Sequence, residues 1–232
     1  MIRNCAIVMA PFRSGTSLIT KILAQIGADP GPSEDLFPPS EYNPDGYYQR
    51  MDVTDANTRL ILSSGMTIEN PGTPRLIHEA GDHSCISKLD ISWSSESRTT
   101  VIKDPRFCFT LYSWINLGKI DPKTAKIIRI QRDIKQSAHS AIAHYDVKKF
   151  CGSDFERACK MLRRYQMAAQ WHVENMGIDY FDVDFQNVID LPEKHLKQLS
   201  AFLGKSDHAA ISAAVLSVRT GRSIVHSEKL PT

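Results

Sequence analysis

Long apolar runs are missing from this chain. Nowhere in its 232 residues does a stretch approach the roughly 18 uninterrupted apolar residues that a membrane span needs. The short apolar run at the start ends at Pro11-Phe12-Arg13. It lacks the length of a signal-peptide core and a small-residue cleavage site, so it reads as a first strand. Cysteine is scarce and scattered, at Cys5, Cys85, Cys108, Cys151 and Cys159. An odd number with no Cys-x-x-Cys pair indicates neither a disulfide framework nor a zinc site, and a reducing cytoplasm fits best. Surplus charge is lacking too. The 28 Lys and Arg against 26 Asp and Glu leave +2, too little to announce a nucleic-acid or membrane-surface partner. Any anion site must therefore be local. Repeats and low-complexity tracts are absent, and the length suits one domain over residues 1–232 better than two small ones.

What is present is organised around Ala10-Pro11-Phe12-Arg13-Ser14-Gly15-Thr16-Ser17. The apolar run Cys5-Ala6-Ile7-Val8-Met9 leads in, and a helical pattern with Leu18, Ile19, Ile22, Leu23 and Ile26 leads out. A tight turn between strand and helix aims several backbone N–H groups and the positive end of a helix dipole at one small volume, which is a phosphate site. An ordinary strand-helix turn is the plainer alternative. The eight residues nearly fit the P-loop pattern G-x-x-x-x-G-K-[ST], with Gly15 and Ser17 in register but Thr16 where the lysine belongs. That lysine sits beside the β- and γ-phosphates of a triphosphate. Its loss, with a cation moved forward to Arg13, suits an anion carrying one phosphate and a second acidic group.

The rest of the chain alternates strand and helix. Gly27 to Tyr48 is loop by its turn chemistry and ends at Asn43-Pro44-Asp45-Gly46-Tyr47-Tyr48-Gln49, ahead of a helix over Asp52 to Leu62. Ser63 to Ser97 reads as loops around a site. Thr99 to Ile102 is a strand that exits at Lys103-Asp104-Pro105-Arg106, and Ala125 to Ile130 is a strand that exits at Gln131-Arg132-Asp133. Ligands sit at the carboxyl ends of strands in an open parallel sheet, which makes both exits candidate sites by position. A long amphipathic helix over Asp154 to Met176, a strand over Tyr180 to Phe185 and a helix over Leu191 to Leu203 follow. The alternation predicts a three-layer α/β fold, a P-loop NTPase-like parallel sheet with helices on both faces.

The loop Phe12-Arg13-Ser14-Gly15-Thr16-Ser17 resembles the phosphosulfate loop of sulfotransferases that use 3′-phosphoadenosine 5′-phosphosulfate (PAPS), which reads Pro-(x)-Arg/Lys-Ser-Gly-Thr-Ser/Thr. Asn43 to Tyr48 is similar to a segment of the bacterial branch. Arg132 and Ser140, eight positions apart, resemble the family's arginine and serine for the 3′-phosphate. Physically, a guanidinium fork and a hydroxyl suit phosphate oxygens. Val183 to Gly204 is similar to another family segment, with Phe185 where a tyrosine is usual. Arg219-Thr220-Gly221 matches a C-terminal Arg-Lys-Gly contact with the 3′-phosphate, though a surface loop is the plainer reading. The resemblance implies a cytoplasmic enzyme moving a sulfuryl group from PAPS to a hydroxyl or amine of a small-molecule or carbohydrate acceptor, releasing 3′-phosphoadenosine 5′-phosphate (PAP) without a metal. Phe12 to Ser17, Arg132, Ser140 and Arg219 would bind the nucleotide; Arg13 and Lys103 would act on the group in transfer.

The proton acceptor is the gap. Pro105 and Gln49 stand where relatives carry histidine or glutamate, and an amide cannot take a proton. Asp104 and Asp52 are nearby carboxylates that could substitute, Asp104 being the catalytic candidate, although an ion-pair or capping role is the plainer reading of each. His78 and His83 in the loop region could swing in, although a loop histidine is usually just solvated. A PAPS- or PAP-binding protein without transfer, and a P-loop kinase, are the rival readings.

Overall fold

The computed structural model describes residues 1–41, 43–91, 93–94 and 98–227. The first apolar run forms β1, Cys5–Met9, buried along its whole length. Its side chains alternate between two cores, Cys5, Ile7 and Met9 into one and Ala6 and Val8 into the other, as a strand covered on both faces requires. β2 is Ala28–Asp29, β3 Thr99–Lys103, β4 Lys126–Gln131 and β5 Asp179–Asp184. They form one parallel sheet in the order β2-β3-β1-β4-β5.

In chain order the helices are α1, Thr16–Gln25; α2, Met51–Ser63; α3, Pro74–Ala80; α4, Ser84–Ser87; α5, Phe107–Asn116; α6, Ile134–Ala143; α7, Tyr145–Cys151; α8, Phe155–Asn175; α9, Phe185–Asp190; α10, Pro192–Phe202; and α11, His208–Ser227. On one face α1 packs with α9, α10 and α11 around Ile19, Ile22, Leu23, Leu196, Leu199 and Val215. On the other α2, α3, α5, α6 and α8 surround Phe107, Phe109, Trp114, Leu162 and Tyr165. Each such large side chain stabilises the scaffold by about 1.5–3 kcal/mol when fully buried. The helix after β1 and those after β4 lie on opposite faces, so the two strands' exits diverge and leave a crevice at their carboxyl ends. The phosphate-loop candidate and Arg132 both fall there.

Three local expectations change. The region read as loops from Ser63 contains α3 and the single turn α4, both too short to show a period. Pro74 starts α3, where Thr73 Oγ1 accepts from the Leu76 N–H at 3.2 Å, a cap worth about 1 kcal/mol. Ser97, the expected end of that region, lies outside the described residues. Phe185 opens α9 rather than closing the strand, because Asp184 caps that helix through the Asn187 N–H at 2.9 Å. The stretch Arg219-Thr220-Gly221 is helical, not a loop. The alanine-rich run that precedes it carries α11 through Gly221 at a cost of about 1 kcal/mol. All five cysteines are free, and among the described residues no helix is long and apolar enough to cross a membrane.

Candidate functional site

The loop between β1 and α1 takes its shape from two left-handed residues, Arg13 at φ 63° and Gly15 at φ 86°. Ile19 N–H is the first to close onto the Gly15 carbonyl, at 3.1 Å. The N–H groups ahead of it in the first turn have no intrahelical acceptor and are available to an anion. Glycine is required at 15 for a second reason, because a Cβ there would stand 2.0 Å from Phe185 Cε2 and 2.2 Å from its Cδ2. Gly15→Ala is therefore expected to lower the melting temperature by several degrees, through left-handed strain of about 1–2 kcal/mol plus displacement of the ring. Adding Phe185→Ala to it should remove the steric part alone; equal melting of Gly15→Ala and wild type would contradict this.

Arginine 13 is held in its strained conformation from outside. Arg132 Nη1 donates to the Arg13 carbonyl at 2.9 Å, and Arg13 Nε donates to Ser140 Oγ at 2.9 Å. The loop, the exit of β4 and α6 thus meet at one junction. Asp133 fixes it locally by capping α6 through the Gln136 N–H at 2.8 Å, which seats Arg132 at the strand end. The Arg132 guanidinium stacks 4.7 Å over the Phe185 ring, a cation–π contact worth about 0.5–2 kcal/mol. Its Nε is buried with no hydrogen-bond partner, a donor that a phosphate oxygen would satisfy. Burial lowers Arg13 from the ordinary arginine range, Tyr47 opposing that shift and neighbouring Arg132 adding to it. Burial also lowers Arg132, opposed by Asp133. Two desolvated guanidiniums side by side are favourable only toward an anion.

A cavity of about 290 Å³ opens beside this junction, lined among others by Phe12, Arg13, Thr16, Ser17, Gln49 and Lys103. Lys103, at the end of β3, is 3% exposed. Its Nζ donates to Gln49 Oε1 at 2.8 Å, while Gln49 Nε2 donates to Thr54 Oγ1 at 2.7 Å. Burial pushes Lys103 down to about 7; Asp104 opposes this, and Arg106 and Arg13 reinforce it. A neutral amide faces the amine where a carboxylate would have held it charged.

Of the residues singled out in the sequence, Phe12, Arg13, Thr16, Ser17 and Lys103 line the cavity. Ser14 is buried beneath the loop. Asp104 is fully buried and is not among the lining residues. Its Oδ1 accepts from the Arg106 N–H and Nη1, both at 3.0 Å, and its Oδ2 from Asn57 Nδ2 at 3.2 Å. Three donors fill it, so it braces the turn from Lys103 to Arg106. Asp52 accepts two hydrogen bonds from Arg50. His78 and His83 stack on each other, 4.6 Å between centroids, and neither lines the cavity. Arg219 stands exposed on α11; Glu193 at the start of α10 is lowered chiefly by its hydrogen bond to Lys197 and that lysine's charge, with Arg219 adding least. Sequence reasoning missed His144, Phe37 and Phe150, which complete the wall. No local pattern marked any of the three; His144 caps the end of α6 with extended backbone, φ −93° and ψ 117°, where the helical period no longer applies.

A parallel sheet with an anion-turn loop at the exit of its central strand and a second cationic exit beside it defines a P-loop NTPase-like α/β protein. The chain belongs to the sulfotransferase family, whose model matches residues 6–208. No curated protein matches it significantly in sequence. Among solved structures it is similar to the sulfotransferase domain of the curacin biosynthetic pathway, with TM-score 0.55, 13% identity, and 89% of this chain and 75% of that one covered. A sulfotransferase from Alicyclobacillus acidocaldarius gives TM-score 0.51 at 17% identity, over 89% of this chain and 82% of that one. Mouse sulfotransferase SULT7A1, solved in complex with PAP, gives 0.50 at 15%, over 92% of this chain and 64% of that one.

Proposed function

We propose that this protein is a cytoplasmic enzyme that transfers a sulfuryl group from PAPS to a hydroxyl or amine of a small-molecule or carbohydrate acceptor. The observation that carries the reading is the junction in which Arg132 holds the Arg13 carbonyl and Arg13 meets Ser140. It gathers two anion-binding groups at one junction, which suits a nucleotide with phosphates at both ends of its ribose. The fit rests on the buried, unpartnered Nε of Arg132 and on the open N–H groups of the first turn of α1. The PAP complex of the mouse structure is consistent with it.

In this reading the loop N–H groups and Arg13 hold the 5′-phosphate and take up the charge that accumulates there as it leaves. Arg132 and Ser140 hold the 3′-phosphate. Lys103 reaches the sulfuryl group as an ammonium, its proton retained once the donor's anions arrive. Asp104 positions Lys103 and Arg106. Thr16 in the lysine position of a triphosphate loop speaks against a kinase. The clamped amide of Gln49 favours one second reading, a nucleotide-binding protein without transfer, which turnover of PAPS by the purified protein would exclude.

Arg132→Ala is expected to weaken PAP binding roughly 10–100-fold, the size of one lost charge-assisted phosphate contact. Calorimetric titration with PAP measures it. Unchanged affinity would remove the 3′-phosphate assignment, and with it the reading.

A further inference from the structure

Transfer to a hydroxyl or amine leaves a proton to be taken up, and few groups in the cavity can take it. Among the described residues none that lines the cavity is Asp or Glu. Gln49 has both ends of its amide committed. Tyr47 shares its hydroxyl with Ser40 Oγ at 2.7 Å, and Lys103 serves as a cation toward the group in transfer. His144 also lines the cavity, and a neutral imidazole always offers one nitrogen lone pair. We propose that His144 accepts the proton of the acceptor's hydroxyl or amine, an inference that rests on the sulfotransferase reading above.

The backbone of His144 is fixed by two helix ends. Its N–H donates to the Ala141 carbonyl at 3.2 Å at the close of α6, and its own carbonyl accepts from Val147 N–H at 3.0 Å and Lys148 N–H at 2.8 Å at the start of α7. The side chain is 3% exposed. His144 directly follows α6, four residues beyond Ser140, whose hydroxyl meets Arg13, so the same helix supports both the partner of the phosphate loop and the proposed proton acceptor. Such shared support preserves the relative placement of the two groups. The charged or titratable groups that line the cavity with it, among the described residues, are Arg13 from the loop after β1, Tyr47 from the segment before α2, Lys103 from β3, Arg106 from the turn before α5, and Lys149 from α7. Behind Phe12, α8 presents Tyr165, whose hydroxyl is donated to the Ile68 carbonyl at 2.7 Å. No carboxylate among these lining groups competes for the proton.

The step balances. The acceptor oxygen bonds to sulfur as the bond from sulfur to the 5′-phosphate oxygen breaks. The electron pair of that bond leaves with PAP, and the hydroxyl proton passes to the imidazole, which returns it to solvent.

The test uses His144→Gln, with His144→Asn as a second variant, and phenol and 4-nitrophenol as acceptors. The rate with phenol should fall roughly 10²–10⁴-fold, the usual worth of a positioned base. The loss with the more acidic 4-nitrophenol should be smaller, because its proton needs less help. The acid-side limb of the wild-type kcat profile should vanish in the variant, and PAP affinity should not change. In wild-type protein loaded with PAP, the imidazole C2–H NMR signal missing from the variant should shift when phenol is added. Equal losses with both phenols and a retained acid limb, or a C2–H signal blind to phenol, would overturn the assignment of His144. Failure of wild-type protein to bind PAP would instead overturn the reading beneath it.

Discussion

Arg13→Ala is expected to reduce sulfuryl transfer at least about a thousandfold while moving the melting temperature by no more than a few degrees. The asymmetry follows from where the side chain stands. Its guanidinium lines the cavity and touches Ser140, outside both apolar cores. Removing it empties a cationic corner of the site without opening a packing defect. A single preorganised donor aimed at developing charge is worth about 100- to 1000-fold in rate, and Arg13 adds a full charge in a desolvated setting, where electrostatic interactions weaken less than in water. The carbonyl contact from Arg132 survives in the variant, so the loop keeps its anchor. Arg13→Gly offers an internal control, since glycine adopts φ 63° without strain. It should melt above Arg13→Ala and be equally inactive. Transfer rates and melting curves of the two variants check this, and an Arg13→Ala enzyme with more than a tenth of wild-type turnover would show that the loop cation is dispensable.

Lys103→Met carries the second large effect, with activity and stability moving in opposite directions. Transfer should fall by about a thousandfold or more, because the cation beside the sulfuryl group is gone. The free protein should become more stable, because burying an amine at 3% exposure costs solvation that a thioether does not need. The pH dependence follows from the same cause. The folded protein holds Lys103 at about 7, below its free value of 10.5. Between those values the unfolded chain binds the extra proton, so wild-type stability contributed by this group rises from pH 7 toward 10.5, and below pH 7 its cost is fully present. In Lys103→Met that rise should be missing, and the gain in melting temperature, about 2–4 °C per kcal/mol for a chain of this size, should be greatest at and below neutrality. A melting series from pH 6 to pH 9 reads it directly. A variant less stable than wild type at pH 7 would mean that Lys103 is satisfied as a cation in the free protein.

Much of this site could be read without coordinates because its key groups sit at strand exits. Arg13, Lys103 and Arg132 each follow a short apolar run, and the carboxyl ends of parallel strands must converge on one edge of the sheet. The sheet itself followed from alternation, with Ala6 and Val8 facing one core and Cys5, Ile7 and Met9 the other. What escaped the sequence was set by contacts across long stretches of chain. The role of Asp104 depends on Asn57, 47 positions away, so a carboxylate that looked available for proton transfer is already saturated. Phe37 and Phe150 come to one cavity from distant segments with no shared pattern. His144 was hidden at a helix end, whose place beside the cavity shows only in the fold. The stretch at Arg219 looked like a loop because of one glycine, and the helix around it proved stronger than that local preference.

On the proposed function, the loop at residues 10–17 takes a nucleotide with phosphates at both ends of its ribose and not a triphosphate. Calorimetric titration of the wild-type protein with PAP, in EDTA and then in the presence of excess Mg²⁺-ATP, tests it most directly. The expected result is one PAP per chain with a dissociation constant at or below about 10 μM, corresponding to about −7 kcal/mol, unaffected by EDTA and not displaced by Mg²⁺-ATP. Absence of PAP binding, or a site that Mg²⁺-ATP fills in its place, would contradict the account.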